Sequence, residues 1–430
     1  MFAARRQRFL DAMGPDAIAV LLGARPITRS ADTQYPFRQD SDFHYLTGFD
    51  HPNASAVLRT DGGPRFTLYV EPREPEAEIW TGIRPGVEGA RDDYGADEAH
   101  GSSELLEQLP RLLEGGRIIY HHLGQDPELD RRIAGVCDGL RLRSRAGVVP
   151  ADTVIDPRTI LHEMRLHKEL GELDLLRKAA DISREAHQEA ARLAHDGVFE
   201  YELEATLDWV FRRRGARGPA YPSIVGGGAN ATILHYITND QKLEDGDLVL
   251  IDAGCELEGY ASDVTRTYPV GGRFEGERRA VYEVVLLAQQ AGLDAVRPGA
   301  TLEAIHEITL RTLVTGLLDL DLLTGDLDDV IERKAYQPYY MHRTSHWLGL
   351  DVHDVGAYSK DGGPRPLEPG MVFTVEPGIY VARDDEAAGG FRGIGVRIED
   401  DVVVTPDGCE TLTEAIPKAL DEVEAWVRGA

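Results

Sequence analysis

Two stretches of this chain, LEDGDLVLIDAG (243 to 254) and LEPGMVFTVEPG (367 to 378), align without a gap. Each reads as a Gly-containing turn, an apolar strand, an acidic residue and a closing Gly, and the offset of 124 residues sets Asp252 on Glu376. Upstream, the helical stretch ending at HDGVFEYELEATLDWVF (195 to 211) resembles RRAVYEVVLLAQQAGLDAVRPGATLEAIHEITLRTL (278 to 313), with Gly197 against Gly299. Glycine turns beside apolar strands recur by chance, but turn chemistry alone does not place an acid at the same position twice. A repeat this long is no solenoid period and marks a duplicated half-domain, helices followed by a strand tipped with a carboxylate. Two such halves facing each other would bring their acidic tips together.

An isolated carboxylate in an apolar strand is unfavourable, because desolvation disfavours its charge. Asp252 ends LVLIDAG, Glu376 repeats the problem in VFTVEPG, and Glu399 repeats it again in GVRIEDDVVV. Asp263, in EGYASDVTRTYPV, follows Asp252 by eleven residues, with Gly254 and Gly259 between them. That spacing predicts a hairpin that sets the two acids at neighbouring positions. Arg397 and Glu399 stand two apart and share a strand face, from which Arg397 can orient a nearby carboxylate. The segment YYMHRTSHWLGLDVHDVG adds His342, His346 and His353. The first two could face one way only in a helix. Glycine spacing after His346 predicts a loop, so a helical zinc motif is not expected.

At 430 residues the chain exceeds one ordinary core, and two or three domains are expected. Residues 1 to 165 mix short apolar runs, AIAVLLGA (17 to 24) and RFTLYV (65 to 70), with helical stretches such as SSELLEQLPRLLEG (102 to 115), which predicts an α/β domain. From Lys168 the pattern changes: ELGELDLLRKAADISREAHQEAARLA carries apolar residues at three and four spacing and predicts a long amphipathic helix. The boundary is placed just before it, giving domains 1–165 and 166–430. The N-terminal MFAARRQRFLDAM has arginines without an apolar run behind them, and Ala17 to Leu22 is far short of the roughly 20 residues a membrane helix needs. A cytoplasmic protein with no membrane partner is therefore expected. Cys137, Cys255 and Cys409 are odd in number and widely spaced, so neither a disulfide framework nor a zinc knuckle is expected. Acidic side chains outnumber basic ones 74 to 46, and a formal charge of −28 repels phosphate backbones, which argues against nucleic acid as a partner.

Five motifs carry a resemblance: DAG (252 to 254), ASDVTRT (261 to 267), SHWLGLDVHDVG (345 to 356), TVEPGIY (374 to 380) and GVRIEDD (395 to 401). Together, and in this order, they resemble the metal-dependent Xaa-Pro aminopeptidases, aminopeptidase P, of the pita-bread metallopeptidases. YPFRQDSDFHYLTGFDHPNA (35 to 54) and AEIWTG (77 to 82) are similar to that family's first domain. No single motif would suffice, since a DAG or an EPG alone is weak. The implied fold is α/β (α+β), an N-terminal α/β domain followed by a pseudo-two-fold pita-bread catalytic domain. The resemblance implies that Asp252, Asp263, His346, Glu376 and Glu399 hold two divalent ions, with Asp263 and Glu399 bridging both. It implies further that His353 holds the substrate carbonyl and its tetrahedral intermediate, that His235 lies near the substrate, and that His342 lines the pocket for the proline ring. Tyr380 and Arg397 are expected on the substrate side. Asp32 and Trp80 are expected at the substrate end, where a neighbouring subunit sometimes contributes in this family, and a homo-oligomer, dimer or tetramer, is the implied assembly.

Four carboxylates and one imidazole form an oxygen-rich, hard site that favours Mn²⁺ or Co²⁺, with Zn²⁺ admitted by raw affinity. Four negative charges offset the four positive charges of two divalent ions. The implied reaction releases the N-terminal residue from peptides with proline second, by attack of a hydroxide bridging the ions, with Glu376 passing a proton to the leaving nitrogen. Proline has no N–H and a fixed φ, so ring packing must hold it. An Xaa-Pro dipeptidase of the same fold is the nearest alternative, although the SHWLG form favours the aminopeptidase. Methionine aminopeptidase needs no such N-terminal domain, and a non-catalytic pita-bread binding protein would have no use for five ligands. The glycines of IVGGGAN (224 to 230) lack the continuation of a phosphate-binding loop and are expected to let backbone approach the substrate.

Overall fold

The computed structural model describes residues 1–429. It divides into two units, Met1–Met164 and the part from Arg165 onward. In the first, the apolar runs form strands β1 (Ala17–Leu22) and β3 (Phe66–Val70), buried almost throughout. With β2 (Ser55–Arg59), β4 (Glu98–Gly101), β5 (Ile118–His121) and β6 (Thr153–Ile155) they make one sheet in the order β4-β3-β2-β1-β5-β6. Only β2 runs against its neighbours; the other pairings are parallel. Helices Leu105–Leu112 and Pro127–Leu142 cover one face, setting Leu109, Leu129 and Ile133 against Ile18, Val57 and Tyr69. Pro110 sits inside the first of these helices and cannot donate to the carbonyl of Leu106. Arg132 Nε donates to that carbonyl instead, at 3.2 Å.

The second unit begins with the long helix read from sequence, α1 (Leu170–Arg192), which turns into α2 (Glu200–Arg213). A second pair, α3 (Gly276–Asp294) and α4 (Leu302–Asp319), repeats the arrangement. Here the sequence echo becomes a matter of hydrogen bonds. The Gly197 N–H donates to the Leu243 carbonyl at 2.9 Å, and the Gly299 N–H to the Leu367 carbonyl at 2.8 Å. Leu243 returns a bond to Val198 at 2.8 Å and Leu367 one to Ala300 at 2.7 Å. Gly246 and Gly370 then make the same turn, with φ of 82° and 91°, a conformation that glycine adopts without penalty. Each donates to a valine carbonyl, that of Val270 just past the strand Thr265–Pro269 and that of Val404 within the strand Asp400–Thr405.

Each turn feeds an apolar strand. In the first half β7 (Ile224–Gly227), β8 (Leu248–Asp252) and β9 (Thr265–Pro269) form an antiparallel sheet with β8 central. In the second, β10 (Val372–Val375) is followed by β11 (Gly378–Tyr380), β12 (Gly395–Arg397), β13 (Asp400–Thr405) and β14 (Gly408–Thr411). There β13 is central between β10 and β14, and β11 pairs with β12. One core joins the halves: Ala186 and Leu207 from α1 and α2, Val285 and Leu313 from α3 and α4, and Val249, Ile251, Val396 and Ile398 from the strands.

The strands place the acids differently from the simplest expectation. Glu376 and Glu399 lie inside no strand; they occupy the short gaps between β10 and β11 and between β12 and β13. The hairpin expected between Asp252 and Asp263 carries an excursion of two short strands, Cys255–Leu257 and Tyr260–Ala261. Asp252 therefore pairs with Thr265 in register, and Asp263 stands two residues earlier. The excursion folds back so tightly that a Cβ on Gly254 would lie 1.9 Å from the Ser262 carbonyl oxygen. Backbone meets backbone there, so neither side can yield cheaply. Gly254→Ala should lower unfolding free energy by about 1–3 kcal/mol and reduce bound metal per chain, as read by denaturant titration and elemental analysis. Wild-type values in both would remove Gly254 from any part in setting the acids.

Candidate metal centre

Side chains from these strand ends converge. Tyr221 Oη donates between Asp252 Oδ1, at 2.7 Å, and Asp263 Oδ1, at 2.5 Å. His346 Nε2 lies 3.3 Å from Asp263 Oδ2 and 3.6 Å from Glu376 Oε1. Glu399 Oε2 accepts from Thr265 Oγ1 at 2.6 Å, and Thr265 Oγ1 in turn accepts from Arg397 Nε at 3.0 Å. Asp263, His346 and Glu399 each offer a ligand atom within 4.8 Å of the other two, so one cation can be reached by all three. His346 lies in irregular chain, as its neighbouring glycines suggested. Its Nδ1 faces the Trp347 carbonyl at 3.0 Å, and a carbonyl only accepts, so Nδ1 carries the hydrogen and Nε2 is turned toward the acids.

The charges are strongly unbalanced. Burial and the neighbouring carboxylates push Glu376 up to about 7 and raise Glu399 well above the usual carboxylate range. Asp252 is raised by burial, although Arg397 Nη2 donates to its Oδ2 at 2.6 Å. For Asp263, burial is outweighed by hydrogen bonds from His346 and Tyr221, which hold it below the ordinary value. Burial would lower His346, but Asp263 and Glu376 overcome it and carry the imidazole up to about 9. The buried cluster thus retains protons on groups that give them up in water. A pair of divalent cations would replace those protons, and hard carboxylate oxygens with one imidazole are a suitable donor set for them.

All five residues line one cavity of about 510 Å³, whose remaining wall is largely apolar, with Pro222, Ile224, Leu234, Ile237 and Val352. His235, His342, His353 and Arg397 line it as well. His353 is exposed, its ring 4.4 Å from that of His346. His342 Nδ1 donates to the Arg343 carbonyl at 2.7 Å, so Nε2 accepts from Tyr380 Oη at 2.9 Å, and Arg397 Nη1 donates to the same hydroxyl at 3.0 Å. Burial and nearby Arg397 lower His342 to about 4, which keeps the ring uncharged at neutral pH. Asp32 and Trp80 belong to the first unit: Asp32 sits at the exposed turn of a hairpin between Thr28–Ser30 and Thr33–Gln34, and Trp80 is 87% exposed on helix Pro75–Thr81.

Residues 174–406 match the family model for metallopeptidase family M24, and residues 2–120 match that for the aminopeptidase P N-terminal domain. The chain is 45% identical over 431 aligned residues to the Xaa-Pro aminopeptidase of Escherichia coli, covering 100% of this chain and 98% of that one. The chain belongs to metallopeptidase family M24. Among solved structures it superposes on the Pseudomonas aeruginosa aminopeptidase PepP with a TM-score of 0.96 at 47% identity, covering 100% of this chain and 97% of that chain. The zinc-substituted E. coli aminopeptidase P in complex with product gives a TM-score of 0.95 at 45% identity, covering 99% and 97%. The α/β N-terminal domain and pseudo-two-fold catalytic domain are those of the aminopeptidase P structures.

Sequence reasoning missed several supports of this M24 centre. Tyr221, which links two of the acids, sits in PAYPSIV, a stretch with no periodic signal. Arg266, fully buried, donates through Nη1 to the Glu399 carbonyl at 2.5 Å and through Nη2 to Asp400 Oδ1 at 2.7 Å. Burial would raise Asp400, but Arg266 and Lys418 outweigh it and hold the carboxylate well below its usual range. Glu200 accepts from the N–H groups of Gly227 and Gln241, from Asn230 Nδ2 and from Tyr236 Oη, at 2.7, 2.9, 3.0 and 2.8 Å. Those bonds fix the segment that carries Leu234, His235 and Ile237 to the cavity.

Because Glu376 and His346 titrate above their ordinary values, the metal-free folded state gains protons relative to the unfolded chain, and that gain is lost as pH rises through the folded values. Metal must displace the same protons. The rise in melting temperature on adding Mn²⁺ should therefore grow from pH 4.5 to about 9, with calorimetry in two buffers recording proton release. A rise that stays flat over that interval would exclude these groups as the ones metal discharges.

Proposed function

We propose that this chain is a metal-dependent Xaa-Pro aminopeptidase, releasing the N-terminal residue of peptides whose second residue is proline. Support comes from one observation above all: a single cavity joins five ligand-type side chains, three buried and two half-buried, to an apolar wall. The relatives named above act in the same sense. In this reading Asp252, Asp263, His346, Glu376 and Glu399 would hold two divalent ions, Asp263 and Glu399 lying with His346 where one cation can be reached by all three. Mn²⁺ is the preferred ion, and Co²⁺ or Zn²⁺ can replace it, because the donors are mainly hard oxygens. Bound there, such ions would supply Lewis acidity and make water a competent nucleophile near neutral pH.

The chain's own residues do the rest. Ile224, Leu234, Ile237 and the uncharged His342 ring receive the proline, which offers no N–H and so must be held by packing. Tyr380 orients His342 and is itself held by Arg397. Arg397 also fixes Asp252. His235, on the segment pinned by Glu200, meets the substrate from the cavity wall that it lines. His353 donates to the oxygen of the scissile carbonyl as it becomes negative. Glu376 takes a proton from the attacking water and delivers it to the leaving proline nitrogen. The exposed Trp80 and Asp32 shape the substrate end in a homo-oligomer, dimer or tetramer, and the protein works in the cytoplasm.

Two measurements test this. Glu376→Gln should reduce kcat by at least about 10²-fold while the melting temperature of the chelated protein stays near wild type. Near-normal turnover would remove Glu376 from the proton path. Chelation should abolish cleavage of Xaa-Pro-Yaa-Yaa and Mn²⁺ should restore it. Preference for Xaa-Pro dipeptides over the longer peptide would instead identify a dipeptidase.

A further inference from the structure

A second cavity of about 680 Å³ adjoins the first, and Arg343, Ser345 and His346 belong to the walls of both. Its other polar side chains include His306, Arg365 and a single acid, Glu303. In a chain with a formal charge of −28, a cavity with two guanidiniums and one carboxylate is a local reversal of sign. Arg365 is 3% exposed and built into the wall. Arg343 is different. It is exposed, and among the described residues its guanidinium has no hydrogen bond and no ion pair. Ser345 Oγ, beside it, is buried without a hydrogen-bond partner. Burial and the charge of Arg343 lower His306 to about 4, so that ring is neutral at working pH and leaves the cationic role to the arginines.

We propose that this cavity is a subsite for a carboxylate on the departing peptide, with Arg343 as its anchor and Ser345 Oγ as an additional donor. The inference rests on the aminopeptidase reading, which places the scissile bond at His346 and proline in the first cavity. A leaving dipeptide in extended form spans about 7 Å, enough to pass from one cavity into the next along their shared wall. Its far end is a carboxylate when the substrate is a tripeptide. An acidic side chain at the third position offers the same group to a longer peptide. Arg343 presents a planar fork suited to two-point contact with either.

The test uses the metal-loaded protein and three peptides: Ala-Pro-Ala as free acid, Ala-Pro-Ala amide, and Ala-Pro-Glu amide. Wild type should favour the free acid over its amide about tenfold in KM, the scale of one charge-assisted hydrogen bond, with kcat nearly equal. Arg343→Gln should bring that ratio to about one, and Arg343→Lys should retain part of it. Arg343 is exposed, so the fold should tolerate both changes, which melting temperatures will show. If Ala-Pro-Glu amide shares the advantage, the subsite accepts side-chain carboxylates too; if it behaves as the plain amide, the subsite reads the chain terminus. Either result sustains the proposal. Equal KM values for all three peptides in wild type, or an advantage that survives Arg343→Gln, would overturn it. Should none of the peptides be cleaved, the aminopeptidase reading fails by itself. Calorimetric binding of Pro-Ala acid against Pro-Ala amide, in wild type and Arg343→Gln, then decides the subsite by the same ratios.

Discussion

Four carboxylates, three buried and one half-buried, line one cavity, and their mutual repulsion organises what surrounds them. In a buried setting like charges a few ångströms apart cannot all ionise unless cations or donors answer them. Arg397 answers Asp252, Tyr221 bridges Asp252 and Asp263, Thr265 supports Glu399, and His346 sits against Asp263 and Glu376. Behind them a second buried pair, Arg266 with Asp400, ties the Glu399 backbone to β9. These donors orient the acids but do not cancel them. The cluster is left with an appetite for positive charge, and that appetite suits it to hold metal in a family of metallopeptidases.

Much of this was legible in the sequence because the constraint is one of pattern. Acids at the ends of apolar runs stand out against a strong statistical background, and their repetition at one offset, with matching glycines, pointed to facing halves. The matching bonds of Gly197 and Gly299, and of Gly246 and Gly370, are the physical content of that repetition. The loop around His346 was readable too, since glycine spacing argues against helix. What stayed hidden depends on contacts between residues far apart in the chain. Nothing near Tyr221 announces that its hydroxyl reaches two acids, and nothing near Glu200 announces that it collects four donors from residues 227 to 241. Arg266 reads as one more strand residue in TRTYPV until Asp400 is seen beside it.

The register of the first half shows where pattern reasoning falls short. An offset of eleven from Asp252 to Asp263 fits a plain hairpin, yet the chain inserts two short strands and pairs Asp252 with Thr265. The functional outcome is preserved because Tyr221 spans the gap that strand pairing leaves open. Gly254 makes the detour feasible by letting backbone pass at a distance no side chain allows. Spacing predicted proximity correctly for a reason other than the one that produces it.

The repeated halves carry one asymmetry with a consequence of its own. At corresponding positions the first half has aspartate and the second glutamate, a difference of a single methylene. Asp252 is short, held by a guanidinium and closed off by Tyr221, whereas Glu376 extends further and keeps an oxygen 3.8 Å from His342 Nδ1. A centre derived from twin lobes is thereby handed: one lobe grips and the other reaches. An incoming peptide has opposite ends, and a cradle of strict two-fold symmetry would have no means of telling one from the other.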